Sequence, residues 1–182
     1  MSPQPFNKAP RLDADNLREI LEYCEATGEF TWKFRSDVRP QWNGRYAGKR
    51  AGYEWTASGG GRYRSIRIFD WPFPEHRLAH LYMTGEWPQH VVDHRDLDGT
   101  NNAWINLRAA TRSQNSANSR HWKNNKLGIK GVCLCKRTGK YRATIFMDGK
   151  QNVIGMFNTP AEAADAYAVA SARKSGDFAR VK

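Results

Sequence analysis

Asp93 and His94 stand side by side, Asn106 follows His94 by 12 residues, and Asn115 follows it by 21. These are the residue types that phosphodiester hydrolysis needs. That reaction requires an activated water, a metal to carry charge developing on the phosphate, and groups to hold both in line. A neutral imidazole near pH 7 can take the proton of the water. A carboxylate and an amide carbonyl are hard oxygen ligands suited to Mg²⁺, an ion that keeps several waters and borrows ligands from the substrate phosphate. Asp93, His94 and Asn115 supply this set, and Asn106 can hydrogen-bond across the intervening loop and fix the imidazole. The bland alternative is that Asp93 and His94 are turn and capping residues.

Such a set works only if the chain folds it into one place. Val91-Val92-Asp93-His94 is short, apolar and extended, Arg95 to Ile105 is a polar loop, and Asn106 to Ala110 can return as a second strand. Thr111-Arg112-Ser113-Gln114 fits a capping box, so a helix begins there with Asn115 in its first turn. This predicts a β-β-α unit that points Asp93, His94 and Asn115 into one small space.

Upstream, Asp13 can cap a helix carrying Leu17, Ile20, Leu21 and Cys24 on one face and ending near Thr27-Gly28. Glu29 to Phe34 alternates like a half-buried strand. Arg35 to Lys49 reads as a loop. Ala51 to Trp55 and Tyr63 to Phe69 bracket a glycine-rich turn and predict a hairpin. Pro74 opens a helix with Leu78, Leu81 and Tyr82 on one face and Gly85 as its stop. His76 and His80 share a face of that helix, as a possible metal pair or as buried or phosphate-facing residues. Downstream, Asn118 to Gly128 is polar and basic, a linker that includes His121-Trp122. Three short strands follow, over Gly131 to Cys135, Tyr141 to Met147 and Gln151 to Phe157, with turns at Thr138-Gly139 and Asp148-Gly149. Thr159-Pro160-Ala161-Glu162 is a second capping box, and its helix runs to Gly176. The alternation turns Tyr141, Ala143 and Ile145 toward that helix and Arg142, Thr144 and Phe146 outward.

Composition narrows the partner. The 182 residues hold 29 Lys+Arg against 18 Asp+Glu, a formal charge of +11. That excess favours a polyanion, nucleic acid before an anionic membrane surface. No apolar run approaches the ~18 residues of a membrane span. The first residues lack the apolar core of a secretory signal, and three cysteines suit a reducing compartment. These features lead one to expect a cytoplasmic protein. Cys133-Leu134-Cys135 could give two metal ligands, but no second Cys/His pair stands at zinc-finger spacing. From Gly99 to Met147 there is no acidic residue and there are ten basic ones. A run this long and single-signed would repel itself without a counter-charge.

The ordered set Asp93-His94, Asn106-Leu107-Arg108 and Ser113-Gln114-Asn115 resembles the HNH endonucleases, in the phage homing variant whose last histidine is asparagine. His76-Arg77-Leu78, Tyr82 and Gly85-Glu86-Trp87-Pro88 extend the resemblance upstream. It implies that His94 is the general base, that Asp93 and Asn115 bind one Mg²⁺ (with Mn²⁺ able to substitute), and that Asn106 orients the base. Gly131-Val132, Gly139 to Ala143, Ile154-Gly155, Phe157-Asn158-Thr159, Glu162-Ala163-Ala164 and Ala166-Tyr167 resemble the AP2 DNA-binding domain. Cys133, Cys135 and Phe146 fall where plant members of that family often carry arginine, so the family's base code does not transfer.

The resulting reading is an α+β chain. It has an N-terminal α+β region (1–74), a ββα-metal nuclease unit (75–120), a basic linker (121–128) and an AP2-like three-stranded antiparallel sheet on one helix (129–182). The expected function is metal-dependent cleavage of double-stranded DNA by a phage-encoded homing-type enzyme acting as a monomer, with no membrane or protein partner. If it is phage-encoded, its compartment is the host cytoplasm. Arg108, Arg112, Arg120, Lys123, Lys126, Lys130, Lys136, Arg137, Lys140, Arg142, Thr144, Lys150 and Gln151 are the expected DNA contacts. Two alternatives stand beside this: a DNA-binding regulator that keeps the scaffold without activity, and an RNA-binding module. Clustered aromatics on one sheet face would favour the latter, and Phe146 stands nearly alone there.

Overall fold

The computed structural model describes residues 11–119, 125–147 and 149–180. Among them, helices and four small antiparallel sheets make a mixed α and β architecture. The chain divides into two compact units between Ala110 and Thr111.

The first unit opens with α1 (Ala14–Ile20), whose Asp13 side chain accepts from the Asn16 N–H at 2.8 Å. The helix stops at Leu21, seven residues earlier than the apolar spacing suggests. Leu21 and Tyr23 then point inward as alternate residues of β1 (Leu21–Cys24), which pairs with β2 (Glu29–Trp32). The spacing of Leu17, Ile20 and Leu21 is compatible with either element. Pairing with β2 and the burial of Tyr23 decide for the strand.

A second correction falls in the expected loop. Residues Pro40–Tyr46 form a helix, α2, that buries no residue. It lacks the apolar stripe that would announce it. Its support is local: Trp42 packs edge-on against Trp32, and the Asn43 amide bonds both backbone groups of Arg35.

Strands β3 (Tyr53–Thr56) and β4 (Arg62–Ile68) form the expected hairpin, and β5 (Trp71–Pro74) adds an edge. The two prolines of β5 argue against a central strand but are tolerated on an edge. Phe69 and Asp70 both adopt positive φ, the geometry that turns β4 back onto β5. Helix α3 (Glu75–Thr84) follows and ends at Gly85, φ +81°, as its composition predicts. Strands β6 (Val91–His94) and β7 (Leu107–Ala110) are the expected pair, joined by a loop that ends in one turn of 3₁₀ helix, Trp104–Asn106. Leu17, Phe30, Ile66, Phe73, Leu78, Leu81, Val92 and Leu107 meet in one core. That core fixes β4, α3, β6 and β7 relative to each other.

The second unit begins with α4 (Arg112–Asn118), closed by the capping box that the sequence predicts at Thr111 and Gln114. Strands β8 (Val132–Cys135), β9 (Lys140–Met147) and β10 (Lys150–Phe157) form an antiparallel sheet with β9 in the centre. Helix α5 (Pro160–Ser175) carries the second predicted capping box. Val132, Ala143, Ile145, Ala163 and Tyr167 form a small core between sheet and helix. One outward residue differs from expectation: Thr144 is only 9 % exposed. Its hydroxyl donates toward Gly131 O and accepts from Gln151 Nε2 at 3.0 Å. The turn residue Asp148 and the linker residues Arg120, His121, Trp122 and Lys123 lie outside the described residues.

The β1–β2 turn is tied to the β6–β7 loop. Tyr23 donates its hydroxyl to Asn102 O at 2.7 Å, and Trp104 N–H donates to Glu25 O at 2.9 Å. Gly28, φ +75°, lets the two backbones touch, since a Cβ there would run into the Asn102 carbonyl carbon and the Ala103 nitrogen. Gly28→Ala is therefore expected to destabilise the first unit by more than the ~1–2 kcal/mol of the left-handed backbone alone. A urea titration followed by tryptophan fluorescence checks this, and an unchanged midpoint would show that the loop yields freely.

Candidate functional site

Asp93 and His94 are the last two residues of β6, and alternation sends their side chains to opposite faces. Asp93, 4 % exposed, faces Arg108 across the ladder, and Arg108 Nε donates to its Oδ2 at 2.9 Å. The Arg108 side chain is itself covered. A DNA contact was expected of it; its position opposite a buried carboxylate makes it an internal ion-pair partner.

His94, 6 % exposed, is held at Nε2 by Asn102 Oδ1 at 3.1 Å. Asn102 Nδ2 donates to Glu75 Oε2 at 3.0 Å, and Arg64 Nε donates to Glu75 Oε1 at 3.0 Å. The Arg64 guanidinium continues to Ala51 O at 3.1 Å. Burial pushes the Glu75 carboxyl up from its ordinary range, against the pull of Arg64. A polar chain of four side chains thus runs inward from His94.

This corrects the role given to Asn106. Its amide does not meet the imidazole. Nδ2 donates to Asp96 Oδ1 at 3.0 Å and to Asn101 O at 2.8 Å, while Oδ1 accepts from the Asp96 N–H at 3.1 Å. Asn106 therefore closes the loop from which Asn102 reaches His94. The same loop is laced by Asp98, which accepts from the Thr100 N–H and hydroxyl, and Thr100 holds the Asp98 carboxyl below its ordinary range. Burial opposes ionisation of Asp96, but donors from Asp98, Asn101 and Asn106 outweigh it and lower its pKa. Asn102, Glu75 and Arg64 were missed in the sequence. Asn102 was one of several asparagines in a polar loop, and Glu75 and Arg64 lie 27 and 38 residues earlier in the chain, with no periodicity linking them.

Two aromatic groups flank His94. His76 packs edge-on at 5.1 Å between centroids, and Tyr63 lies 6.3 Å from both imidazoles. His76 and His80 do not converge on one point. His76 turns to His94, while His80 Nδ1 lies 3.1 Å from Glu86 O and 3.2 Å from Thr84 Oγ1. Among the described residues, no group of three or more His, Cys, Asp or Glu gathers to cage a metal.

Asn115 lies in α4, in the second unit. Of the other expected DNA contacts there, Arg112, Lys126, Lys136, Arg137, Lys140, Arg142, Lys150 and Gln151 are exposed. Lys130 is not available in the same way. Its ammonium donates to Ser116 O, Ala117 O and Ser119 O at 2.7, 2.7 and 3.0 Å. Burial, with Arg180 and Lys174 nearby, brings its pKa down to about 8. It closes the C-terminal carbonyls of α4.

Residues 74–117, from the residue before α3 into α4, match the family model described as HNH endonuclease. Protein 3.8 of Escherichia phage T7 is 36 % identical over 63 residues, which is 35 % of this chain. The chain spans about half, 52 %, of the length of that curated relative. No solved structure matches the chain. The segment that holds Asp93, His94, Asn106 and Asn115 is thus similar to HNH endonucleases.

His76 generates a pH prediction. Burial, with His94 and Arg77 adding to it, lowers its pKa from 6.5 to about 3. Its folded pKa lies below the unfolded value, so its contribution to stability is full above ~6.5. That contribution is lost as pH falls from there toward about 3. Replacing His76 with Phe should flatten the loss of stability between pH 7.5 and pH 5 relative to the natural protein. Urea midpoints at those two pH values measure it, and parallel losses in both proteins would contradict it.

Proposed function

We propose that the chain is a divalent-metal-dependent endonuclease that hydrolyses phosphodiester bonds in double-stranded DNA. The observation that carries the proposal is an imidazole held from behind by a buried amide, next in sequence to a buried aspartate, inside the segment similar to HNH endonucleases. His94 takes the proton of the attacking water. Asp93 would hold the ion. Its carboxylate is a hard oxygen ligand suited to Mg²⁺, which needs only one or two protein ligands and no caged cluster. When bound, that ion supplies positive charge against the charge developing on the phosphate. Asn106 acts at one remove, by closing the loop that carries Asn102 to His94.

The second unit serves, in this reading, to bind DNA. Its three-stranded sheet packed on one helix supports the AP2 likeness, and the exposed Lys136, Arg137, Lys140, Arg142 and Lys150 lie on the sheet and its turns. A phage origin fits the T7 likeness, and the homing-type role is part of the same reading. One observation favours the rival in which the scaffold binds DNA without cutting: Arg108 already occupies an oxygen of Asp93. Incubation with supercoiled plasmid, with and without Mg²⁺, separates the two. Nicked or linear product that depends on the ion supports cleavage, and intact plasmid bound at equal affinity supports the rival.

His94→Ala should lower cleavage by roughly 10²–10⁴-fold while leaving DNA affinity within a few-fold, since a general base acts on water and not on phosphate. Plasmid nicking and fluorescence anisotropy on one duplex measure the two effects. A variant that cuts at the natural rate removes His94 from the mechanism.

The exposed cations make a separate prediction about salt. Each phosphate neutralised contributes about −0.9 to the slope of log K against log salt. Removing the charges of Lys136, Arg137, Lys140 and Arg142 together should make that slope markedly shallower. Lys130→Ala should leave the slope unchanged and weaken the fold instead, because its ammonium is committed to α4. Anisotropy at several salt concentrations distinguishes them, and an unchanged slope in the fourfold variant would take the sheet off the DNA backbone.

A further inference from the structure

Asn102, 1 % exposed, lies between two groups that dictate its orientation. Glu75 as a carboxylate can only accept, so the Asn102 NH₂ must face it, and Nδ2 donates to Oε2 at 3.0 Å. The amide oxygen then faces His94 Nε2 at 3.1 Å. An amide oxygen also only accepts. His94 Nε2 must therefore carry the ring hydrogen, which leaves the lone pair of the neutral ring on Nδ1. Glu75 has no exposed surface, and Arg64 Nε donates to both of its oxygens, at 3.0 and 3.2 Å. The chain of constraints starts at that ion pair and ends on the imidazole.

We propose that Glu75, acting through Asn102, fixes His94 in the Nε2–H tautomer and so selects Nδ1 as the atom that receives the proton. Glu75 and Asn102 are positioning residues; neither touches the reacting atoms. The inference rests on the reading of His94 as the base of a hydrolytic site. In that step the Nδ1 lone pair accepts one proton of a water. The water oxygen forms the new P–O bond, the opposite P–O bond breaks with its electron pair on the leaving oxygen, and that oxygen takes a proton from solvent.

The exchange of Glu75 for glutamine tests this with little change of volume. In Glu75→Gln the side-chain oxygen must face Arg64, so its NH₂ faces Asn102. Asn102 then turns over and presents its own NH₂ to His94, whose Nε2 must accept. The hydrogen moves to Nδ1, and the lone pair no longer lies there. A carboxylate at position 102 reverses the effect. In the double variant Glu75→Gln/Asn102→Asp, that carboxylate accepts from Gln at 75 and from His94 Nε2–H, and the net charge equals that of the natural chain.

Two measurements read the result. Long-range ¹⁵N–¹H spectra of the metal-free, DNA-free protein, recorded well above the ordinary imidazole range, report the tautomer, with the His94 signals assigned by their loss in His94→Gln. Plasmid nicking with Mg²⁺ reports cleavage. The natural chain should show Nε2–H. Glu75→Gln should show Nδ1–H and cut on the order of 10²–10⁴-fold more slowly, the loss expected of a general base. The double variant should return to Nε2–H and recover most of the rate, which a merely structural role for Glu75 would not produce. Nε2–H retained in Glu75→Gln, or Nδ1–H in the double variant, overturns the proposal. If Glu75→Gln does not fold, the charge-balanced double variant carries the test by the same criterion. Tautomers as expected with no cleavage by any of these proteins would leave the wiring of His94 standing and remove the nuclease reading. Cleavage by the natural chain with an unmoved tautomer in Glu75→Gln would remove the wiring alone.

Discussion

A carboxylate with no exposed surface stands at the first position of α3, and the first unit is organised around keeping it satisfied. A buried ion is tolerated only when it is paired and its remaining acceptor sites are filled, and removing one partner of such a pair costs about 3–5 kcal/mol. Glu75 meets this condition through two distant parts of the chain, Arg64 in β4 and Asn102 in the β6–β7 loop. Each partner is held in turn. Arg64 is anchored on Ala51 O, and the Asn102 backbone accepts the Tyr23 hydroxyl from β1. One charge thereby ties β1, β4, α3 and the loop together. The apolar core beneath could form with several loop arrangements; the ion pair and its amide admit one.

The loop that carries Asn102 is closed on itself for a related reason. Its polar groups satisfy each other locally: Asn106 bonds Asp96 and Asn101, and Asp98 bonds Thr100. A polar loop of this kind needs little apolar burial to hold its shape. Its carboxylates are stabilised in the charged form by donors from the loop itself. The consequence is that the His94 imidazole is already fixed at Nε2 by the loop, and preorganisation of that kind spares any site the cost of orienting its groups.

Much of this was legible in the sequence, and the parts that were not share a cause. Capping boxes at Thr111 and Thr159, the helix stop at Gly85 and the C-terminal strand pattern are local signals, and the structure follows them. The early end of α1 is a case where one apolar spacing served two elements, and the choice was made by β2, which lies beyond any local window. The α2 helix has no buried face, so no periodicity could reveal it. In the site, the Asp93-His94 pair was readable because strand residues sit together in sequence. The support of His94 was not. Glu75 looks like an ordinary charged residue in a helix first turn, and only the folded chain puts it next to Asn102. Asn106 was a reasonable choice for the amide that holds the ring, and the structure gives that task to Asn102, four residues earlier.

The basic run shows the same limit from another side. Its ten cations look equivalent in sequence, but the fold assigns two of them to internal work. Arg108 neutralises a buried aspartate, and Lys130 meets the carbonyl end of a short helix. Both tasks place positive charge where the backbone or a carboxylate supplies negative charge, which removes them from the field felt by a partner. Lys136 and Arg137 lie in the β8–β9 turn, while Lys140 and Arg142 project from β9 on the face opposite α5, with Cys133 and Met156 level with Arg142 across the ladder. A sheet face that mixes exposed cations with small apolar side chains repels itself less when a polyanion lies against it. The charge that matters for a partner is therefore the charge left exposed after the fold has taken its share, and among the described residues Lys136, Arg137, Lys140 and Arg142 put part of it on one small sheet and its turn.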